Sequence, residues 1–397
     1  MQLKQFKMIS FQDALKTVLN TKLQLGTEKV SLLQAQGRVL AENSISDINM
    51  PPFNKAAMDG FAIRESDISN ELTIIETVAA GQTPTKSVEA GQATKIMTGA
   101  PVPEGADFVI QVELSELVDA QTVRFTGRTK NNIIPFAEDV KAGDIVLNKG
   151  ELMDARHMAV LASVGCVNPL VYKQPKVGIF STGDEIVEPE YKPNASQIRN
   201  SNGNQLVAQV MQCNALPLYF GIVKDTYEET FNAIKTGLET CDVLLISGGV
   251  SMGDFDFVPK VLSDLGVTIL FDSVAVQPGK PTTFGLKDDK IIFGLPGNPV
   301  SSFVQFEILV KPLLYKLMGS HAPNKTIKLP LGKPFVRKKA ERLEFLPITI
   351  SDEGKVYRIE YHGSAHIFAL PNAHGLAQIN EGIKELNEGD LVDVRLF

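Results

Sequence analysis

Residues 243–261 read VLLISGGVSMGDFDFVPKV: an aliphatic run stops at two adjacent glycines, passes a serine and a third glycine, and sets two aspartates before turning apolar again. A strand-to-helix turn needs one glycine at most, so this loop is shaped for something to approach its backbone closely. The aspartates imply a cation beside it. Three other stretches share the rhythm of apolar strand and polar loop: KVGIFSTGDEI (176–186), PLYFGIVKD (217–225) and KIIFGLPGNPVSS (290–302). Each opens with a short apolar run of the kind found in strands covered on both faces. Helical patterns intervene at SNGNQLVAQVMQ (201–212) and TYEETFNAIKTGLE (226–239). This alternation predicts a central α/β domain, about 174–322, built on a mostly parallel sheet with helices on both faces. Ligands bind such sheets beyond the carboxyl ends of the strands.

Outward from this domain the pattern changes. Residues 1–173 carry a short helix near each end and, between them, strand-length runs such as LTIIETV, ATKIMTG and FVIQVEL, punctuated by Gly and Pro. That predicts an irregular, β-rich N-terminal half. Ser10 and Asp13 form a capping pair for the first helix, and ELMDARHMAVLASVGC (151–166) reads as the last one, ending near Gly165. After 322, KTIKLPLGKPF, RLEFLPITI, KVYRIEY and LVDVRLF predict a small all-β domain over 323–397. No fixed-period repeat or low-complexity tract interrupts the chain.

The 397 residues exceed what one hydrophobic core usually serves. A net charge of −7 argues against a protein that grips nucleic-acid backbones. Cys166, Cys213 and Cys241 are odd in number and lack any Cys-x-x-Cys spacing, so neither a disulfide framework nor a zinc site is expected, and a reducing cytoplasm fits. The Lys- and Gln-interleaved N-terminus reads as neither signal peptide nor membrane anchor, and no apolar run reaches the roughly 18 residues of a membrane span.

Candidate chemistry gathers in three strand-end loops: STGDE (181–185), SGGVSMGDFD (247–256) and GLPGNP (294–299). Asn298 suits a helix N-cap and Pro299 the first helical position, which would aim free amides at the strand ends as a phosphate seat. No G-x-G-x-x-G follows a strand, and Gly279-Lys280 is followed by Pro281 rather than Ser or Thr, so dinucleotide-fold and P-loop readings fail. Lys280, in QPGKPTTFG, is either an exposed turn lysine or a cation that meets a phosphate. Asp184, Glu185, Asp225, Asp254 and Asp256 are each solvated turn acids or, together, oxygen ligands for a divalent cation. His362, His366 and His374 read as surface or packed residues rather than metal ligands. By periodicity alone PPFNKAAMDGFAI (51–63) and KIMTGAPVPEGAD (95–107) are turns.

Taken together and in order, PPFNKAAMDGFA, IMTGAPVPEGAD, STGDE, RNSNGNQL, SGGVSMGDFDFV, PGKPTTFG and GLPGNPVSSFVQF closely resemble the molybdopterin molybdenumtransferase family, related to the E domain of gephyrin. The resemblance covers nearly the whole chain. It implies an elongated four-part protein, its N-terminal half being two intertwined parts, about 1–45 with 140–173 and about 46–139. It also implies a homodimer with an active site between the α/β domain of one subunit and an N-terminal segment of the other. The implied reaction converts adenylylated molybdopterin and molybdate into molybdenum cofactor and AMP with the help of Mg²⁺. Carried onto this sequence, the catalytic positions are Asp59, Thr98, Asp139, Glu185, Asp225 and Asp256, of which Glu185, Asp225 and Asp256 hold the metal. Substrate binding falls to Gly183, Asp184, Ser201, Asn202, Gly248, Gly249, Ser251, Lys280, Pro296, Gly297, Asn298, Arg342 and Ser364. Other proteins of cofactor biosynthesis are implied partners; nucleic acid and membrane are not.

The chain departs from the family pattern at Ala56, usually Ser; at Lys95, Ile134 and Pro347, where Arg is common; at Ala137, often Gly; and at Asp254, usually Glu. These departures leave room for a specialised or non-catalytic scaffold paralogue, against which the retained acids argue. The long N-terminal half and β tail argue against the related molybdopterin adenylyltransferase.

Overall fold

The computed structural model describes residues 8–127, 129–249, 257–321, 326–359 and 363–397. The chain divides into two compact units, one of Val30–Gln36 and Glu42–Pro169, the other of Gly37–Ala41 and Leu170–Phe397 with the segment up to Lys29.

In the second unit α1 (Phe11–Leu19) starts where Ser10 caps it: the Ser10 Oγ accepts from the Asp13 N–H at 3.1 Å. The smaller unit is built on a six-stranded sheet of β1 (Gly60–Ile63), β2 (Leu72–Val78), β3 (Gln92–Ile96), β4 (Phe108–Gln111), β5 (Ser115–Leu117) and β6 (Thr122–Phe125), in the order β4-β1-β3-β2-β6-β5. Here the structure corrects the reading of 51–63 as turns, because GFAI is a strand buried along its whole length between β4 and β3. Its glycine is needed for sheet contact: a Cβ on Gly60 would lie 1.9 Å from the Ile110 carbonyl oxygen. Helix α2 (Ala155–Ser163) is capped by Asp154, whose side chain accepts from the Arg156 N–H, and Gly165 follows it at φ +71°. The left-handed backbone there is what a helix C-terminus asks of glycine.

The α/β sheet comprises β7 (Lys176–Thr182), β8 (Leu216–Val223), β9 (Val243–Ser247), β10 (Thr268–Ser273), β11 (Pro281–Lys287) and β12 (Lys290–Leu295), ordered β8-β7-β9-β12-β11-β10. The first four run parallel, in register at Val177–Val243 and Val243–Ile291, and β11 and β10 close the far edge antiparallel. Helices α3 (Ser201–Gln212), α4 (Tyr227–Thr240) and α5 (Val258–Asp264) fall where the 3.6-residue periodicity placed helices or between strands. Phe180, Leu244, Ile246 and Ile292 pack with residues of α4 and α5 in one core cluster. The central strands β7 and β9 are buried throughout except at Lys176. β8 is not covered on both faces as expected: it is the outermost strand, and Leu216, Leu218, Tyr219 and Phe220 stay exposed.

After β12 the chain enters α6 (Pro299–Gln305), a π-helical turn over Phe306–Val310, and α7 (Lys311–Leu317). Pro312 explains the interruption, since it has no N–H for the carbonyl four residues back and its ring crowds that turn.

The C-terminal sheet contains β13 (Thr326–Pro330), β14 (Leu343–Ile350), β15 (Val356–Arg358), β16 (Gly375–Ile379) and β17 (Leu391–Leu396). Its order is Val276–Gln277, β14, β16, β17, β13, with β15 paired to β14. β16 escaped the sequence reading because GLAQI is short and opens on glycine. That glycine is structural, as a Cβ on Gly375 would meet the Arg395 carbonyl oxygen at 2.3 Å. Pro347 sits inside β14, where its carbonyl accepts from the Ile359 N–H just past the end of β15, and its nitrogen, which cannot donate, faces that same edge of the ladder. Phe11 of α1 meets Phe345 of β14 edge-on at 5.4 Å. Among the described residues no helix is long and apolar enough to cross a membrane.

Candidate functional site

At the carboxyl ends of β7, β9 and β12, hydrogen bonds from α3 gather the loops. The Asn202 Nδ2 donates to the Ser247 Oγ at 2.8 Å and to the Gly297 carbonyl at 2.7 Å. Asn202 is buried, and its Oδ1 has no partner among the described residues. The Gly248 N–H donates to the Leu295 carbonyl at 3.1 Å, and Gly297 lies beside the Gly248 Cα. Two residues earlier Asn200 caps α3: its Oδ1 accepts from the Gly203 N–H and from the Ser181 hydroxyl, each at 3.0 Å. Ser201 follows, exposed, at the first helical position.

Gly248 and Gly249 adopt φ +90° and +62°, and both lean on β7. A Cβ at 248 would lie 2.6 Å from the Thr182 carbonyl oxygen, and one at 249 would lie 2.6 Å from the Thr182 Oγ1. On the side that a Cβ would occupy, both glycines therefore meet the protein's own strand β7. Ser251, Asp254 and Asp256 lie outside the described residues.

The acids next to this cradle repel one another. Gly183 is buried, Asp184 and Glu185 are exposed, and Asp225 is partly buried with its N–H 3.3 Å from the Asp184 Oδ1. Burial, then the charges of Asp184 and Glu185, hold the Asp225 carboxyl above the usual range. Among the described residues no three His, Cys, Asp or Glu side chains form a closed metal cage. The crowded carboxylates are still hard oxygen donors of the kind Mg²⁺ takes one or two at a time beside phosphates.

Asn298 holds the N-cap position of α6 in extended backbone but does not cap it with its side chain. The amide instead donates to the Ser364 Oγ at 3.0 Å, while the Val300 N–H donates to the Ser364 carbonyl at 3.1 Å. The helix start is thus tied to the C-terminal sheet's loop, and one of its expected free amides is occupied. Pro296 is buried; Gly297 and Asn298 are exposed. Arg342, next to β14, reaches the strand before the Lys280 loop: its Nη1 donates to the Val276 carbonyl at 3.1 Å and its Nη2 lies 3.4 Å from the Gln277 Oε1. Lys280 is exposed at the end of that loop, immediately before β11. His374 is structural, its Nδ1 accepting from the Ile350 N–H at 2.9 Å, and His362 lies outside the described residues.

In the smaller unit the Thr98 N–H and hydroxyl both donate to the Asp59 Oδ1 at 2.7 Å. The backbone bond first, and then the hydroxyl, hold the Asp59 carboxyl below the usual range. Asp139 is exposed, with its N–H given to the Met50 carbonyl at 3.0 Å. Sequence reasoning passed over Thr182 and Ser247, the hydroxyl residues that end β7 and β9 and pack or bond within the loop cluster. The signal was present in the matching Ser-Thr-Gly and Ile-Ser-Gly-Gly strand ends.

Three family profiles match the chain in order: the MoeA N-terminal region (domain I and II) over 9–165, a probable molybdopterin binding domain over 178–316, and the MoeA C-terminal region (domain IV) over 328–397. The chain is 34% identical over 411 residues to a molybdopterin molybdenumtransferase of Bacillus subtilis, covering 98% of this chain and 94% of that protein. To the protein of that name in Staphylococcus epidermidis it is 33% identical over 399 residues, covering 98% and 95%. The crystal structure of the molybdopterin biosynthesis moeA protein from Pyrococcus horikoshii OT3 superposes with a TM-score of 0.85 at 30% identity, covering 98% of this chain and all of that one.

Proposed function

The chain belongs to the molybdopterin molybdenumtransferase family, and we propose that the strand-end loops of its α/β sheet are where it carries out that family's reaction. It is a transferase of molybdenum cofactor biosynthesis, inserting molybdate into adenylylated molybdopterin with release of AMP. The observation that carries the site is the Asn202 amide joining Ser247 to Gly297, with Asn298 joined in turn to Ser364. These bonds fix the loops after β9 and β12, and the Ser364 segment, at the strand ends where α/β proteins hold ligands.

In this reading Gly183, Gly297 and Asn298 offer backbone and amide groups to the adenylylated pterin, with Asp184, Ser201, Ser251 and Pro296 at its edge. Lys280 and Arg342 supply positive charge for phosphate or molybdate oxygens, and Ser364 adds a hydroxyl. Gly248 and Gly249 serve the ligand indirectly, by letting the loop fold against Thr182. Glu185 and Asp225, with Asp256, would hold Mg²⁺. The raised carboxyl of Asp225 supports this, because burial and the neighbouring charges of Asp184 and Glu185 disfavour its ionisation and a divalent cation would relieve both. Mg²⁺ there supplies charge neutralisation at the phosphate oxygens. Asp59, held ionised by Thr98, and Asp139 complete the set as acids for orienting substrate or moving a proton. A cytoplasmic homodimer is part of the same proposal, supported by the family likeness.

The test is AMP release by the purified protein from adenylylated molybdopterin in the presence of molybdate and Mg²⁺. AMP together with molybdenum cofactor is expected; pterin binding without AMP release would leave a scaffold. Light scattering of the same sample should give twice the mass of the chain.

A further inference from the structure

Gln305, in the last turn of α6, is fully buried, and its Nε2 donates to the Pro278 carbonyl at 3.2 Å. A carbonyl only accepts, so this contact fixes which end of the amide faces the loop. The other end, Oε1, is buried without a partner among the described residues. A buried glutamine whose amide oxygen is unsatisfied is a poor core residue, since an aliphatic side chain of equal size would fill the space without an unsatisfied acceptor. Its contact with the loop is close in other respects too: Gly279 adopts φ +103°, and a Cβ there would lie 2.5 Å from Nε2. Three consecutive carbonyls of the loop are bound. Pro278 accepts from Gln305, Gly279 from the buried Thr282 hydroxyl at 2.9 Å, and Lys280 from the Val274 N–H at 2.9 Å. Of the three donors, Gln305 alone comes from another element, the helix that begins at Asn298.

We propose that Gln305 is a positioning residue that fixes the Pro278–Gly279 peptide and so sets where Lys280 presents its ammonium to a tetrahedral oxyanion of the substrates. The inference rests on the reading of Lys280 as an anion contact. It adds that the loop's place is set from α6, so that the Lys280 loop and the Asn298 end of the helix keep a fixed separation.

KM for molybdate and for adenylylated molybdopterin, and kcat for AMP release, are measured on the full chain as wild type, Gln305→Met, Lys280→Ala and the double variant. Lys280→Ala should raise one of the two KM values, which identifies the oxyanion as molybdate or phosphate. Gln305→Met should raise the same KM about tenfold, more than it lowers kcat, and add nothing in the Lys280→Ala background. Amide hydrogen exchange over residues 276–285 should quicken in Gln305→Met and not in Lys280→Ala. If Gln305→Met does not fold, Gly279→Ala presses on the same amide from the loop side and should give the same KM shift. A KM change in Lys280→Ala with none in Gln305→Met, or a Gln305 effect that persists in full without Lys280, overturns the positioning role and leaves the Lys280 reading standing. No KM change in Lys280→Ala removes that reading, and the positioning role with it.

Discussion

Thr98 gives the Asp59 Oδ1 two hydrogen bonds, from its backbone N–H and from its hydroxyl, both at 2.7 Å. Two donors on one oxygen favour the carboxylate over the acid. The larger contribution comes from the backbone, so Thr98→Val should raise the Asp59 pKa only part of the way to its ordinary value. Because the folded pKa is depressed, the stabilisation is present above the ordinary carboxylate range and fades as pH falls through the folded value. Carbonyl NMR titration of Asp59 in the two proteins measures this. A wild-type Asp59 that titrates at the ordinary value would mean the pair does not form in solution.

Asp225 is shifted in the opposite direction, by burial and by Asp184 and Glu185. Its folded pKa is raised, so its ionisation destabilises the native state, from the unfolded pKa upward and fully above the folded one. Asp225→Asn should therefore be at least as stable as the wild type at pH 7, and the difference should vanish in acid. Added Mg²⁺ should raise the Tm of the wild type, and raise it much less in the Asn variant, while AMP release falls by orders of magnitude. Equal Tm gains in both proteins would move the cation elsewhere.

Ala137 adopts φ +56°, the left-handed region that favours glycine, two residues before Asp139. A Cβ in that conformation costs about 1–2 kcal/mol, partly offset by the extra freedom glycine gives the unfolded chain. Ala137→Gly should stabilise the protein by about 1 kcal/mol in urea unfolding, and a loss of stability would show that the backbone relaxes there.

How far this was legible in the sequence depended on the scale of the cause. The α/β sheet could be read because β7, β9 and β12 are buried on both faces, which forces continuous apolar runs, and α3 and α4 because their periodicity is long enough to count. The strands Gly60–Ile63 and Gly375–Ile379 could not, because each opens on a glycine whose reason is a carbonyl, distant in sequence, that an added Cβ would meet at 1.9 or 2.3 Å. In the site, the glycine loops were visible as local composition. Asn298 bonding Ser364, and Thr182 filling the room beside Gly248 and Gly249, were not, since both depend on register between segments about 65 residues apart.

The Thr182 contact sets an expectation for Gly249. A valine there would need φ +62° and would drive its Cβ to 2.6 Å from the Thr182 Oγ1. Gly249→Val should lose at least about 1–2 kcal/mol of stability from the backbone alone. Its Tm should fall along with its affinity for the adenylylated pterin, and a variant that loses affinity at unchanged Tm would return the glycine to a role in ligand approach only.

Asn202 is the strictest test of the gathered site. Asn202→Asp keeps its shape but replaces the Nδ2 donor, 2.7 Å from the Gly297 carbonyl and 2.8 Å from the Ser247 Oγ, with an acceptor. At neutral pH a buried carboxylate would then face a carbonyl oxygen, and burial would raise its pKa well above the ordinary carboxylate value. The loss should be about 2–3 kcal/mol at pH 7, the cost of an unsatisfied buried group. As pH falls through the raised folded pKa, the acid gains a proton that it can donate to Gly297, so the deficit against wild type should shrink. AMP release at neutral pH should fall with the loss of the loop contact, because Gly297 is no longer held beside Gly248. Urea unfolding of both proteins between pH 5 and pH 8 measures the difference. A deficit that does not change with pH would mean that the loop moves away from residue 202, and that the Asn202 bridge does not hold the site together.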